Sequence, residues 1–219
     1  MQRHLVIFAK EPRLGTVKTR LARDIGAAAA LAFYEETLRA LILRVARGAP
    51  WRCWLAVTPD GFAAQAHRRW RFLPRGVAIV PQGPGDLGAR MARSFARLPP
   101  GPAVLIGSDI PSLARAHIAA AFAALGRHDA VFGPAEDGGY WLVGERRLRA
   151  MPRLFRAVRW SSADALADTL ANLAPSQTYA LVARLADVDD GAAYAHWRAS
   201  LWPTRFLPNS PLLATGVIL

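Results

Sequence analysis

Cysteine is almost absent: Cys53 is the only one in 219 residues. A single thiol forms neither an internal disulfide nor a thiolate metal cluster, and the expectation is a protein of a reducing, cytoplasmic compartment. Long apolar runs are missing as well. No stretch approaches the roughly 18 apolar residues of a membrane-spanning helix. The apolar run before Lys10 is only five residues long, 5–9, too short for the core of a secretory leader. The five histidines, His4, His67, His117, His128 and His196, show no metal-ligand spacing. No Ser-His-Asp or G-x-S-x-G arrangement is present, so a hydrolytic triad has nothing to rest on. Acidic side chains are outnumbered 16 to 28, which leaves a net charge of +12. Lysine is the rarest basic residue: of those 28, only Lys10 and Lys18 are lysine.

What is present is a chain built to bury a core. The hydrophobic fraction is 53% and the mean hydropathy +0.14, enough for one domain of this length. The arginines are spread along the whole chain, as at Arg39, Arg68, Arg97, Arg127, Arg149 and Arg184. With no basic tail and no interleaved aromatics, the charge suits small anionic substrates better than specific nucleic-acid recognition. Apolar periodicity alternates between the two regular types. Strands are predicted over 5–9, 51–58, 77–81, 103–107, 130–132, 140–143 and 179–185. Helices are predicted over 20–47, 62–70, 87–98 and 113–125, the last capped by Ser112. A capping box at 161–164 opens another helix to about 173, and a short final helix ends near 200. Such alternation implies an α/β fold with a mostly parallel central sheet, as a single domain over 1–201 and an extension over 202–219.

Ligands of open α/β sheets sit at the carboxyl ends of the strands. The loop after the first strand carries Lys10, Arg13, Gly15, Lys18 and Arg20 and runs into a helix. It fails the P-loop pattern, since Val17 precedes Lys18 and no Gly lies five residues before it. Free N–H groups at a helix start still suit a phosphate, and a compact lysine ammonium fits a confined contact. Asp109 follows the most apolar strand; it is either a ligand for Mg²⁺ (or Mn²⁺) or a turn residue. Asp137, ahead of Gly138-Gly139, either shapes a turn or supplies a second carboxylate to the same ion. Gln82 and Arg90, in a Gly-rich loop, suit a nucleobase edge or form an ordinary loop.

The segments FAKEPRLGTVKTRLA, QGPGDLGARM, LIGSDIPSL, GPAEDGGYWLVG and RWSS…TL, then DVDD, resemble the DUF2064 family over about residues 5–190. That family is described as glycosyltransferase-A-like, or nucleotide-diphospho-sugar transferase-like, and one branch is associated with arsenosugar biosynthesis. The usual DVDT-like segment stands here as Asp187-Val188-Asp189-Asp190. More remotely the chain is similar to molybdenum-cofactor and phospholactate guanylyltransferases, the latter with an analogous K-[ST]-R-L stretch. The resemblance implies a GT-A-like, Rossmann-type three-layer sandwich. It also implies phosphate contacts for Lys18 and Arg20, a metal-ligand role for Asp109 with Asp137 as partner, and a base near Gln82. The implied reaction is Mg²⁺-dependent sugar transfer from a nucleotide sugar to a small acceptor, with Lys18 and Asp109 catalytic. The alternative is nucleotidyl transfer from a nucleoside triphosphate to a phosphorylated acceptor. Glycosyltransferases normally show Asp-x-Asp at the metal position; 108–111 offers one Asp, the nucleotidyltransferase form. A non-catalytic nucleotide- or nucleic-acid-binding protein is the third reading, supported by charge alone.

Overall fold

The computed structural model describes residues 1–148 and 154–201. Seven strands form one sheet: β1 (His4–Lys10), β2 (Arg52–Thr58), β3 (Ala78–Pro81), β4 (Ala103–Ile106), β5 (Ala130–Pro134), β6 (Tyr140–Glu145) and β7 (Tyr179–Leu181). Their order is β3-β2-β1-β4-β6-β5-β7. Every pairing is parallel except those of β6 with β4 and β5. The exception follows from loop length. Residues 135–139 are too few for the crossover that parallel strands need, so β5 and β6 close as a hairpin.

The strands read as continuous apolar runs because both sheet faces are covered. Leu5, Ile7 and Ala9 of β1 face one core; Val6 of β1 faces the other. Helices α2 (Ala27–Ala46), α3 (Ala63–Arg69) and α5 (Arg115–Ala124) supply the first side, through residues such as Leu38, Leu41, Ala66 and Ile118. The second side is covered by α4 (Leu87–Arg97), residues 154–160 and α6 (Ala165–Ala171). Helices α1 (Thr19–Ile25) and α7 (Gly191–Leu201) meet α2 in a small third cluster, where Phe33 lies edge-on to Tyr194 and Trp197. The result is the expected three-layer α/β sandwich.

Several local expectations are corrected. The single helix over 20–47 is two, because Gly26 takes φ 87° and ψ 150° and turns the chain between α1 and α2. Ser112 does not cap α5. The helix starts at Arg115, and His117 Nδ1 accepts from the Ala114 N–H instead, while Leu113 is fully buried. No capping box forms at 161–164: Asp164 makes no side-chain cap bond and pairs with Arg159. The strand over 179–185 shortens to 179–181, with an isolated bridge from Ala135 to Leu185. The extension over 202–219 lies outside the described residues.

Candidate functional site

The loop after β1 is held at both ends. The Lys10 N–H donates to the Tyr34 hydroxyl (2.8 Å), which in turn donates to the Lys10 carbonyl (3.0 Å). Burial and the nearby Asp109 push the Tyr34 phenol up, so it stays neutral. Thr16 closes a turn on the Arg13 carbonyl (3.1 Å), and Val17 is a buried plug. These anchors force Lys18 into the left-handed region, φ 48° and ψ 45°, at the start of α1. A lysine there is strained, and such strain persists only where the surroundings impose it. Its side chain is 3% exposed, and Nζ lies 2.8 Å from Asp189 Oδ1 and 3.3 Å from Asp109 Oδ2.

Four carboxylates line the same cavity as that ammonium. Asp109 leaves the end of β4, with the Ser108 hydroxyl 3.4 Å from its Oδ1. The antiparallel β6 begins where β4 ends, Leu142 opposite Ile106, so the β5–β6 turn carries Asp137 to the same edge. Asp137 Oδ1 accepts from the Gly139 N–H (2.9 Å), so the turn and the presentation of a carboxylate coexist. Asp187 and Asp189 flank Val188, whose side chain is buried and whose N–H donates to the Asp109 carbonyl (3.3 Å). Alternation along this extended segment turns both carboxylates to the cavity. Burial, then Asp189 and Asp137, raise the Asp187 carboxyl above its ordinary range, with Lys18 opposing.

The donors are all carboxylate oxygens, the chemistry of a hard divalent cation that keeps waters or phosphate oxygens in its remaining positions. Among the described residues no three His, Cys, Asp or Glu side chains converge closely enough to enclose an ion. Lys18 stands between Asp109 and Asp189 instead. The two carboxylates share one ammonium in this arrangement.

These groups open into a cavity of about 560 Å³ at the carboxyl ends of the central strands. Of the sequence-predicted residues, Lys10, Lys18, Arg20, Gln82, Arg90, Asp109 and Asp137 line it. Arg13 does not; it lines a separate groove with Glu11, Gln65 and Arg69. Gly15 is exposed, its φ of 76° serving the turn. Gln82 is 4% exposed, and its amide nitrogen donates to the Ala9 (3.3 Å) and Ala56 (3.0 Å) carbonyls. Its N–H groups thus tie the ends of β1 and β2 together. Arg90 Nε donates to the Gly85 carbonyl, and Asp86 caps α4 through the Ala89 N–H (both as the loop's own bracing). Asp187, Asp189, Tyr34 and Trp160 also line the cavity and were missed as site residues. The signal for two of them was legible: the Asp-x-Asp sought at 108–111 stands at 187–189.

A family profile described as an uncharacterized protein conserved in bacteria (DUF2064) matches residues 40–162, more than half of the chain. The chain belongs to that family. Among solved structures, a putative nucleotide-diphospho-sugar transferase from Desulfovibrio desulfuricans G20 is 29% identical. It covers 87% of this chain and 84% of its own, with a TM-score of 0.79. The inositol-1-phosphate CTP transferase from T. maritima is 11% identical over 88% of this chain and 91% of its own, TM-score 0.55. Rv0371c from Mycobacterium tuberculosis H37Rv, solved in complex with manganese, is 17% identical over 91% and 100%, TM-score 0.52. No protein of curated function matches the sequence. The DUF2064 chain thus has the GT-A and nucleotidyltransferase type of Rossmann-like fold. Among the described residues no helix is long and apolar enough to cross a membrane.

Proposed function

We propose that this protein transfers a sugar from a nucleotide sugar to a small acceptor, with a divalent cation, Mg²⁺ or Mn²⁺, at the carboxylate cluster. The observation that carries the reading is the buried Lys18 ammonium set between Asp109 and Asp189 at the mouth of the cavity. The 29% identity to a protein described as a nucleotide-diphospho-sugar transferase supports the same class. In this reading Asp109 and Asp189 hold the cation, with Asp137 and Asp187 beside them. A cation bound there offsets charge on the diphosphate. Lys18 binds the diphosphate oxygens as a point charge, and Arg20 lies two residues on, in the first turn of α1. As the bond from the anomeric carbon to the phosphate oxygen breaks, that oxygen gains charge, and a fixed ammonium in a dry slot stabilises it. The nucleoside lies along the Lys10 and 82–90 side, where Gln82 keeps the strand ends in place.

Nucleotidyl transfer is the second reading. The one Asp at 108–111 and the fold shared with the CTP transferase favour it. A thermal-shift panel of nucleotide sugars, nucleoside diphosphates and nucleoside triphosphates, with and without Mn²⁺, separates the two. Stabilisation by a nucleotide sugar above its diphosphate supports sugar transfer, and a preference for a triphosphate selects the second reading. Stabilisation by oligonucleotides alone, lost with salt, overturns both. Asp109→Asn is expected to remove the Mn²⁺-dependent part of the shift while the variant melts cooperatively on its own. A variant with undiminished metal dependence would clear Asp109 of the role.

A further inference from the structure

The cavity has two unlike halves. Every cationic side chain that lines it, Lys10, Lys18, Arg20 and Arg90, comes from the β1 loop, α1 or α4. Across Asp109, on the β6 side, the lining is aromatic and aliphatic apart from Asp137, Ser161 and Ser162. Trp160 and Tyr140 stand there over Met91, Leu105 and Val143.

This aromatic wall is braced rather than loose. The Trp160 and Tyr140 rings meet edge-on, 6.4 Å apart at 73°, and Tyr140 meets the core residue Phe132 at 5.7 Å. Behind Trp160 lies Phe155, at 6.4 Å, itself stacked on Phe95. The indole presses directly on α4: a Cβ placed on Gly88 would come within 2.8 Å of Trp160 Cζ2 and 2.9 Å of the Phe155 carbonyl. The Tyr140 and Ser162 hydroxyls are already engaged. Thr169 Oγ1 gives its proton to the Ala165 carbonyl (2.7 Å), which leaves the Tyr140 hydroxyl to donate to Thr169 (3.3 Å). Burial pushes that phenol up and keeps it neutral. Ser162 Oγ donates to the Arg159 carbonyl (2.7 Å). Two arginines on this side are also occupied. Arg159 is held by Asp164 (2.7 Å) and Asp168 (2.8 Å), and Arg184 donates to the Ala135 carbonyl.

We infer that the half of the cavity under Trp160 and Tyr140 receives an uncharged ring, the sugar of the nucleotide sugar, with Trp160 as its stacking platform. The inference rests on the nucleotide-sugar reading and narrows it. A hexose presents a C–H face that gains by leaving water against an indole, and a rigid aromatic surface of this kind binds with little ordering cost. A phosphorylated acceptor would instead bring its dianion to the cationic side chains of the β1 loop, α1 and α4. The diphosphate at Lys18 then sets the ring's position, since the sugar hangs from its second phosphate.

The test is calorimetric titration in MnCl₂ of UDP, UDP-glucose, GDP and GDP-mannose against wild type, Trp160→Phe, Trp160→Leu and Trp160→Ala. The readout is the affinity ratio of each sugar nucleotide to its own diphosphate within one variant, which a general loss of stability does not move. In wild type at least one pair is expected to favour the sugar nucleotide. Trp160→Phe keeps a ring and should hold that ratio within about twofold, while Trp160→Leu, which keeps apolar volume, and Trp160→Ala should lower it roughly three- to tenfold. Diphosphate affinity itself should stay level in the Leu variant. A ratio that does not change on loss of the ring overturns the inference, and so does a wild type with no preference for any sugar nucleotide. If no nucleotide binds wild type at all, the transferase reading falls and this one with it; nucleotide binding with a Trp160-independent ratio sinks the stacking role alone.

Discussion

Lys18 concentrates the chemistry of the site in one side chain. In a chain that otherwise uses arginine, a lysine is kept where the slot is 3% exposed and two carboxylates converge. An arginine would bring a wide planar fork into a space that holds an ammonium, on a backbone already at φ 48°. Lys18→Arg is therefore expected to lose phosphate-bearing ligands nearly as fully as Lys18→Ala, by about ten- to hundredfold, the worth of one charge-assisted contact of roughly 1.5–3 kcal/mol. Titration of a nucleoside beside its diphosphate and triphosphate checks this; the nucleoside should bind all three proteins alike. Equal diphosphate affinity across the series would remove the phosphate role. Composition alone pointed to this residue, because lysine is scarce here. Its partner Asp189 lies 171 residues away, and no local pattern carries a contact of that span. Gln82 has a structural task that its loop did not reveal: its N–H groups satisfy two carbonyls at the ends of β1 and β2, while the residue lines the cavity.

At the scale of the element, the β5–β6 hairpin decides which carboxylates meet. Its short turn reverses β6 and brings Asp137 to the end of β4, which a parallel crossover would not do. Gly138 permits the turn twice over: φ is 84°, and an added Cβ would fall 2.2 Å from the Ala163 carbonyl. Gly138→Ala should therefore cost about 2–4 kcal/mol, a melting point lowered by about 5–10 °C, and should weaken metal-dependent binding as the hairpin parts from residues 161–165. Gly76, at φ 88° with nothing within 4 Å of its Cβ position, isolates the backbone share; Gly76→Ala should cost only about 1 kcal/mol. Equal melting points for the two variants would show that the close approach at Gly138 contributes nothing. The strand–helix alternation and the four site loops were legible because periodicity and punctuation are local. The break at Gly26 and the His117 cap of α5 were not. An isolated glycine inside a helical pattern is usually tolerated, and a histidine acting as a cap competes with a better-known serine three residues before the helix start. The Asp-x-Asp at 187–189 was visible as letters, but its place depends on the Val188 N–H reaching the Asp109 carbonyl.

Across the whole molecule the two ends of the sheet have different work. At the carboxyl ends, charge is paired around the cavity. Elsewhere several arginines clamp carbonyls, where their donors suit irregular backbone. Arg44 holds Pro111 and Leu113, Arg115 holds Arg44 and Arg47, and Arg147 holds Leu98, Pro99 and Gly101. These arginines close loops, in keeping with arginines scattered along the chain rather than gathered in a tail. The end of the sheet away from the cavity also hides an acid. Glu145 closes β6 opposite Ala103 and Ala130 and is 7% exposed; burial pushes its carboxyl up to about 7, with Arg147 opposing. The folded protein thus keeps this proton at a pH where the unfolded chain, near 4.5, has released it. Stability falls as pH rises between those two values, by about 3 kcal/mol for this group if nothing else titrates. Glu145→Gln, neutral at every pH, should then raise the melting point at pH 8 and leave it nearly unchanged at pH 4, while nucleotide binding at the far end of the sheet stays level. Melting curves of both proteins between pH 4 and 8 measure the difference, and parallel curves would mean that Glu145 is ionised in the fold at neutral pH, with Arg147 outweighing its burial.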